Sequence, residues 1–206
     1  MTSKAKINNL VADVIAGTDV PSAWEHLRQC GQRGTDAILD AMEGKLGRGK
    51  RHLRDLHEDL ISGLQAIAKV NPAPLIVALD GRPRHTFSLI WALGASRQKV
   101  AVDKLIDHVK HQDKWVRWAA VCGLARFSRK SLLPPLLLAL RDRSNRVRFV
   151  ALEGLTKVAD RTAIEPLKRY LTNKRLKPGA RRIATELLNK LETETAINLG
   201  EVWAGL

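Results

Sequence analysis

A nine-residue pattern returns along the chain at a fixed interval, and that repetition restricts the fold more than any other feature. Val116-Arg117-Trp118-Ala119-Ala120-Val121-Cys122-Gly123-Leu124 lies over Val147-Arg148-Phe149-Val150-Ala151-Leu152-Glu153-Gly154-Leu155 at an offset of 31. Val, Arg, an aromatic residue, Ala, Gly and Leu all match. The same offset backward brings His85-Thr86-Phe87-Ser88-Leu89-Ile90-Trp91-Ala92-Leu93 into register, and an offset of 33 forward from Val147 reaches Ala180-Arg181-Arg182-Ile183-Ala184. A chain written this way consists of small units that cannot bury an apolar face alone and must stack on their neighbours.

Shorter apolar runs repeat in step between these copies: Pro74-Leu75-Ile76-Val77, Leu105-Ile106-Asp107-His108, Pro135-Leu136-Leu137-Leu138 and Pro166-Leu167-Lys168-Arg169. Each unit is therefore expected to be a helical hairpin, an A segment followed by a B segment. Helix is chosen over strand because the B segments space their apolar residues as Val116, Ala120, Leu124 and Phe127, and again as Val147, Ala151, Leu155 and Val158. That spacing follows the 3.6-residue turn and excludes two-residue alternation. Prolines stand at helix openings (Pro74, Pro135 and Pro166 for A, Pro83 and Pro178 for B), where the missing N–H costs nothing. Upstream, residues 7–16 with 22–33 read as a capping pair, and 35–46 with 51–70 as a degenerate pair joined by Gly47-Arg48-Gly49-Lys50. The sum is about six hairpins in an all-α chain.

The B segments resemble the short HEAT-like repeats of phycobilisome-lyase-type proteins, whose B helix carries a V-R-x-x-A-x-x-x-L core. Val116, Arg117, Ala120 and Leu124 match it, as do Val147, Arg148, Ala151 and Leu155. The likeness is clear over residues 72–191, and the ankyrin and tetratricopeptide signatures are absent. It implies a right-handed, armadillo-like α-solenoid in which 1–206 form one domain: degenerate hairpins over 1–70, clear repeats over 72–191 and a tail over 192–206. It implies binding and scaffolding rather than chemistry. It also implies that Arg117, Arg148 and Arg181, at the ladder position, pair with acidic groups of adjacent turns such as Asp113 and Asp142.

Winding a B helix at 100° per residue puts Trp118 opposite the core line, on the face that stacked B helices turn toward a concave groove. Across the repeats that row reads Phe87, Trp118, Phe149 and Arg182, where the resembled family usually has polar or charged residues. One turn further on, Trp91 stands at the position of Cys122, Glu153 and Glu186, and just ahead of the core residue come Arg84, Trp115, Arg146 and Gly179. The groove is expected to be basic and aromatic, unless the rings merely pack between neighbouring B helices. Lys168, Arg169, Lys174, Arg175, Lys177, Arg181 and Arg182 form a second basic cluster, read as a contact face. The tail residues Ile197, Leu199, Val202, Trp203 and Leu206 make an apolar series able to dock.

Charge supports an anionic partner without naming it. The chain holds 35 Lys and Arg against 21 Asp and Glu, a net +14, and the excess grows from +1 over residues 1–70 to +5 over 71–128 and +8 over 129–206. Nucleic acid, an acidic protein face and an anionic lipid surface all answer to such a field. No run of apolar residues is long enough to span a bilayer, so no membrane partner is expected. The first twenty residues lack the apolar core of a secretory signal, which makes the cytoplasm the default address. Cys30 and Cys122, far apart and outside any CxxC spacing, read as free thiols.

Catalytic signatures fail. GxxxxGK[ST], GxSxG and HExxH are all missing, and Gly47-Arg48-Gly49-Lys50 lacks the strand before and the hydroxyl residue after a phosphate loop. His108 and His111 beside Asp107, and His52 and His57 beside Glu58, are loose groups without a determined third ligand. No metal and no cofactor are expected. The reading taken is a non-catalytic HEAT-repeat scaffold whose groove holds an acidic protein partner. The alternative is a solenoid binding single-stranded or distorted nucleic acid. Behind both stands an enzyme resembling alkylpurine DNA glycosylases, with Glu153 as its carboxylate; this last rests on likeness of architecture.

Overall fold

The helical spacing of the sequence is realised throughout the computed structural model, which describes residues 2–44 and 53–204. No strand occurs among them. The chain packs as two units, Met1–His108 and Val109–Leu206.

In the first unit the helices are α1 (Lys4–Ala16), α2 (Val20–Gln29), α3 (Gly31–Met42), α4 (Leu53–Val70), α5 (Ala73–Gly81), α6 (Thr86–Ser96) and α7 (Ala101–Asp107). Consecutive helices pair as α1/α2, α3/α4 and α5/α6, and the hairpins stack A on A (α1 on α3 on α5) and B on B (α2 on α4 on α6). Sequence reading carried the second helix to residue 33. The helix ends at Gln29 instead, because Cys30 closes its last turn and Gly31 takes φ +55, a left-handed geometry that a side chain resists. Close approach between the B helices is made possible by Gly63: a Cβ there would lie 2.1 Å from the Trp24 indole. Arg82 ties one A segment to the one before it, donating from Nη1 to Asp40 (2.9 Å) and Glu43 (3.0 Å), while His85 Nε2 lies 3.1 Å from Glu43.

The second unit contains α8 (Lys114–Leu124), α9 (Leu133–Ala139), α10 (Asn145–Val158), α11 (Ile164–Leu171) and α12 (Pro178–Ala204). Here α9 pairs with α10 and α11 with α12, and α8, α10 and α12 stack as a row of B helices. The core line expected from the sequence is the observed one. Val116, Ala120, Leu124 and Phe127, and Val147, Ala151, Leu155 and Val158, are all buried. Gly154 lets the layers meet, since a Cβ there would stand 3.0 Å from Leu136 and 3.1 Å from Ala125. Residues 192–204 continue α12 without a break. The tail side chains Leu199, Val202, Trp203 and Leu206 and the Gly47-Arg48-Gly49-Lys50 segment, with His52, lie outside the described residues; Ile197 is exposed.

Candidate binding cleft

Two helix starts set the geometry of the cleft. Asp113 caps α8, its carboxylate accepting the Trp115 backbone N–H at 2.8 Å. Asp142 organises the turn before α10 in the same way, accepting from the Ser144 N–H at 2.7 Å. With both helices begun in register, Trp115 and Trp118 on α8 come beside Arg146 and Phe149 on α10. The two indoles meet edge to face with centroids 6.1 Å apart. The Arg146 guanidinium lies 5.1 Å from the centre of the Trp115 ring, and Lys114 Nζ lies 5.3 Å from it. A ring quadrupole attracts a cation without neutralising it, so both charges stay available to a ligand.

Trp118, Phe149 and Val150 line one side of a cleft of about 450 Å³, and Tyr170 on α11 with Leu176 lines another. Arg146, Arg175 and Lys177 add positive charge, and no carboxylate, histidine, cysteine or serine is among its lining residues. A smaller hollow of about 250 Å³ shares Trp118, Asn145 and Arg146 with the cleft and adds Lys114, Trp115 and Ser144.

The segment carrying Arg175 and Lys177 is fixed by a ladder arginine. Asn173 Oδ1 accepts from the Arg175 N–H (2.9 Å), while the Arg181 guanidinium donates to the carbonyls of Leu171 (3.1 Å) and Asn173 (2.9 Å). Arg181 thus holds the turn rather than facing a ligand. Burial raises the Tyr170 phenol pKa against the opposing pull of Arg148, so the ring enters the cleft wall as a neutral group.

The other ladder arginines behave alike, with one difference. Arg117 is buried and forks onto Asp142 (Nε to Oδ2 2.6 Å, Nη2 to Oδ1 3.1 Å), and its Nη1 donates to the carbonyls of His111 and Gln112. Burial works against the Asp142 carboxylate, but the hydrogen bonds from Arg117 and Ser144 and the charges of Arg117 and Arg143 hold it below its ordinary range. Arg148 donates to the Asp142 carbonyl (2.6 Å) and to Asn145, and its buried Nε has no partner. Of the two acidic partners expected for the ladder, Asp142 takes the hydrogen bonds of Arg117, while Asp113 caps α8 and acts on Arg117 through its charge.

The remaining site residues of the sequence reading fall elsewhere. Phe87 and Trp91 stack on each other in the first unit, 6.4 Å apart and 13° from parallel, and Arg84 is exposed there. Arg182 projects into solvent beside Glu186 (3.2 Å) and does not line the cleft. Lys168 is held by Glu192 (3.0 Å) and Glu165 (3.7 Å), whereas Arg169 and Lys174 are exposed. Glu153 is exposed and outside the cleft lining. Burial, helped by the charge of Glu153 and opposed by Arg126, pushes the Cys122 thiol up to about 12, which leaves it a poor nucleophile at neutral pH. Ring nitrogens of His108 and His111 are engaged with local backbone, at Lys104 O and the Asp113 N–H.

Sequence reasoning missed Tyr170, Val150 and Leu176. A signal existed for the first. Tyr170 is the only tyrosine of the chain, and the 31-residue offset places it over Ala139.

Helical hairpins whose B helices stack in a row, with an arginine closing the turn before each of α8, α10 and α12, define a helical-repeat protein. Residues 72–148 match the family model for HEAT repeats, so the chain carries HEAT-like repeats over that stretch, from just before α5 into the first turn of α10. No curated protein matches the chain. Such repeats make a protein-interaction or scaffold module the class of function. Among the described residues no helix is long and apolar enough to cross a membrane, and no cluster of three metal-ligating side chains occurs.

Proposed function

We propose that the second unit holds an acidic segment of a protein partner in the Trp118–Phe149–Tyr170 cleft. The single observation that carries this reading is the cleft's composition: three aromatic rings and three cations line one space, and no carboxylate lines it. Aromatic pockets flanked by arginine are where binding energy concentrates in protein interfaces, because rings bring large buried area and guanidinium pairs with carboxylates through forked hydrogen bonds. Phe149 stands 36% exposed and lines the cleft, so its ring offers apolar area to a partner side chain. The protein would act as a non-catalytic adaptor in the cytoplasm, with no cofactor needed for this role.

The test is fluorescence anisotropy with labelled acidic peptides bearing one phenylalanine. Arg146→Gln and Phe149→Ala should each weaken binding about tenfold, in line with loss of one interface anchor, at an unchanged melting temperature. Single-stranded nucleic acid is the second reading, favoured by the exposed Phe149 ring beside arginines in the most basic third of the chain. Tight binding of oligothymidylate at physiological salt, with no binding of the acidic peptides, would replace the first reading by the second.

A further inference from the structure

The larger cleft and the smaller hollow differ in character although they share a wall. The first is ringed by Phe149 and Tyr170 and has space for a bulky apolar side chain. The second offers Lys114 and Arg146, both held over the Trp115 ring, with the polar Ser144 and Asn145, and has room for a small charged group. Arg146 lines both. Its guanidinium rests on the Trp115 ring rather than on a carboxylate, and it has no ion-pair partner among the described residues, so its charge is directed at whatever enters either space.

Resting on the peptide-binding reading above, we infer that the recognised segment is bipartite: a bulky apolar side chain fills the larger cleft and a carboxylate, one or two positions away in the same peptide, enters the smaller hollow between Lys114 and Arg146. An extended peptide advances about 3.3 Å per residue, so one or two residues cross a wall made of the Trp118 indole. Charge complementarity fixes the order of the two groups. Neither space is lined by a carboxylate; the smaller one sets two cations beside Ser144 and Asn145 and has no aliphatic lining, whereas the larger adds Phe149, Val150, Tyr170 and Leu176.

Three labelled peptides of equal net charge test this on the full chain. One has glutamate beside its phenylalanine, one has that glutamate moved to the far end behind glycines, and one has alanine in place of phenylalanine. Moving the glutamate should weaken binding about tenfold, the scale of one desolvated charge pair, and removing the phenylalanine at least as much. Lys114→Gln, at a residue that lines only the smaller hollow, should erase the difference between the first two peptides. Lys177→Gln, in the larger cleft alone, should weaken both alike. Equal affinity for the first two peptides would overturn the bipartite motif while leaving the cleft as a peptide site. A difference that survives in Lys114→Gln would overturn the assignment of the carboxylate to the smaller hollow. Failure of all three peptides to bind would remove the peptide reading together with the motif.

Discussion

The same repeat position is used in opposite ways in the two units. In the first, Phe87 stacks on Trp91 one turn later along α6, and both rings are half-buried. In the second, Trp118 and Phe149 have Cys122 and Glu153 at that later position; Trp118 meets Trp115 edge to face, and Phe149 stands 36% exposed. Their rings line a cleft instead. The residue four places along the helix separates a phenylalanine that stacks on its own helix, as Phe87 does on Trp91, from one that lines a cleft, as Phe149 does beside Glu153. The repeat motif sets where the row lies, and the variable neighbour sets what the row does.

The comparison rests on a common register, and the largest effects test that. Leu93, Leu124 and Leu155 occupy one repeat position and are fully buried. Each leucine-to-alanine change should cost about 2–5 kcal/mol in chemical denaturation, and a negligible cost at Leu93 would show that the first unit does not share the register. Next comes the buried pair, which the first unit lacks at this position. Asp142→Ala should cost about 3–5 kcal/mol by leaving Arg117 buried without its carboxylate. Because the folded pKa of Asp142 is depressed, its contribution is fully present above the unfolded value of about 3.9. It is lost as pH falls through the lower folded value, and Asp142→Asn should flatten that acid limb in a stability profile.

The row itself is tested by a crossed pair. Phe87→Ala should lower stability by about 1–3 kcal/mol through lost stacking and burial and leave peptide binding unchanged. Phe149→Ala should do the reverse, with thermal stability held and affinity reduced. Glu153→Trp sharpens the contrast by giving α10 the pattern of α6: the new ring should stack on Phe149 and abolish binding in a protein that still melts normally. The smallest effect concerns the partnerless Nε of Arg148. Asn173 occupies the repeat position of Asp142 and makes the same turn, accepting from the N–H two residues on. Asn173→Asp should supply the missing acceptor and add about 0.5–1.5 kcal/mol, read as a rise in melting temperature; an unchanged or lower value would mean the two turns are not equivalent.

The helical hairpins and their core were legible because both are carried by local periodicity. An apolar residue every third or fourth place predicts burial for Val116 and Leu155 without knowing what covers them. Trp118, Arg146 and Phe149 were legible for the same reason, being on one face of single helices. Arg175 and Lys177 were found as part of a basic cluster, but their separation from Lys168, Arg181 and Arg182 was not. That separation depends on Glu192, Glu186 and two backbone carbonyls, which reach their partners only once the chain has turned. Tyr170 was hidden more deeply, because its A helix contributes to a wall otherwise built by B helices and the turn between α11 and α12. The 31-residue offset ties Phe87 to Trp118 in one row and sets Trp91 against Cys122 and Glu153, yet it does not carry the side-chain rotamers that stack Trp91 on Phe87.

Asp142 is gripped twice: Arg117 of the preceding hairpin takes its side chain, and Arg148 of its own hairpin takes its carbonyl. A gene segment encoding one 31-residue unit around it therefore carries both a hand and a handle. Copied in tandem, the arginine of the first copy would face the aspartate of the second, and the duplicate would enter the chain already joined on both sides. For this ion pair, growth by duplication at the junction would need no compensating substitution.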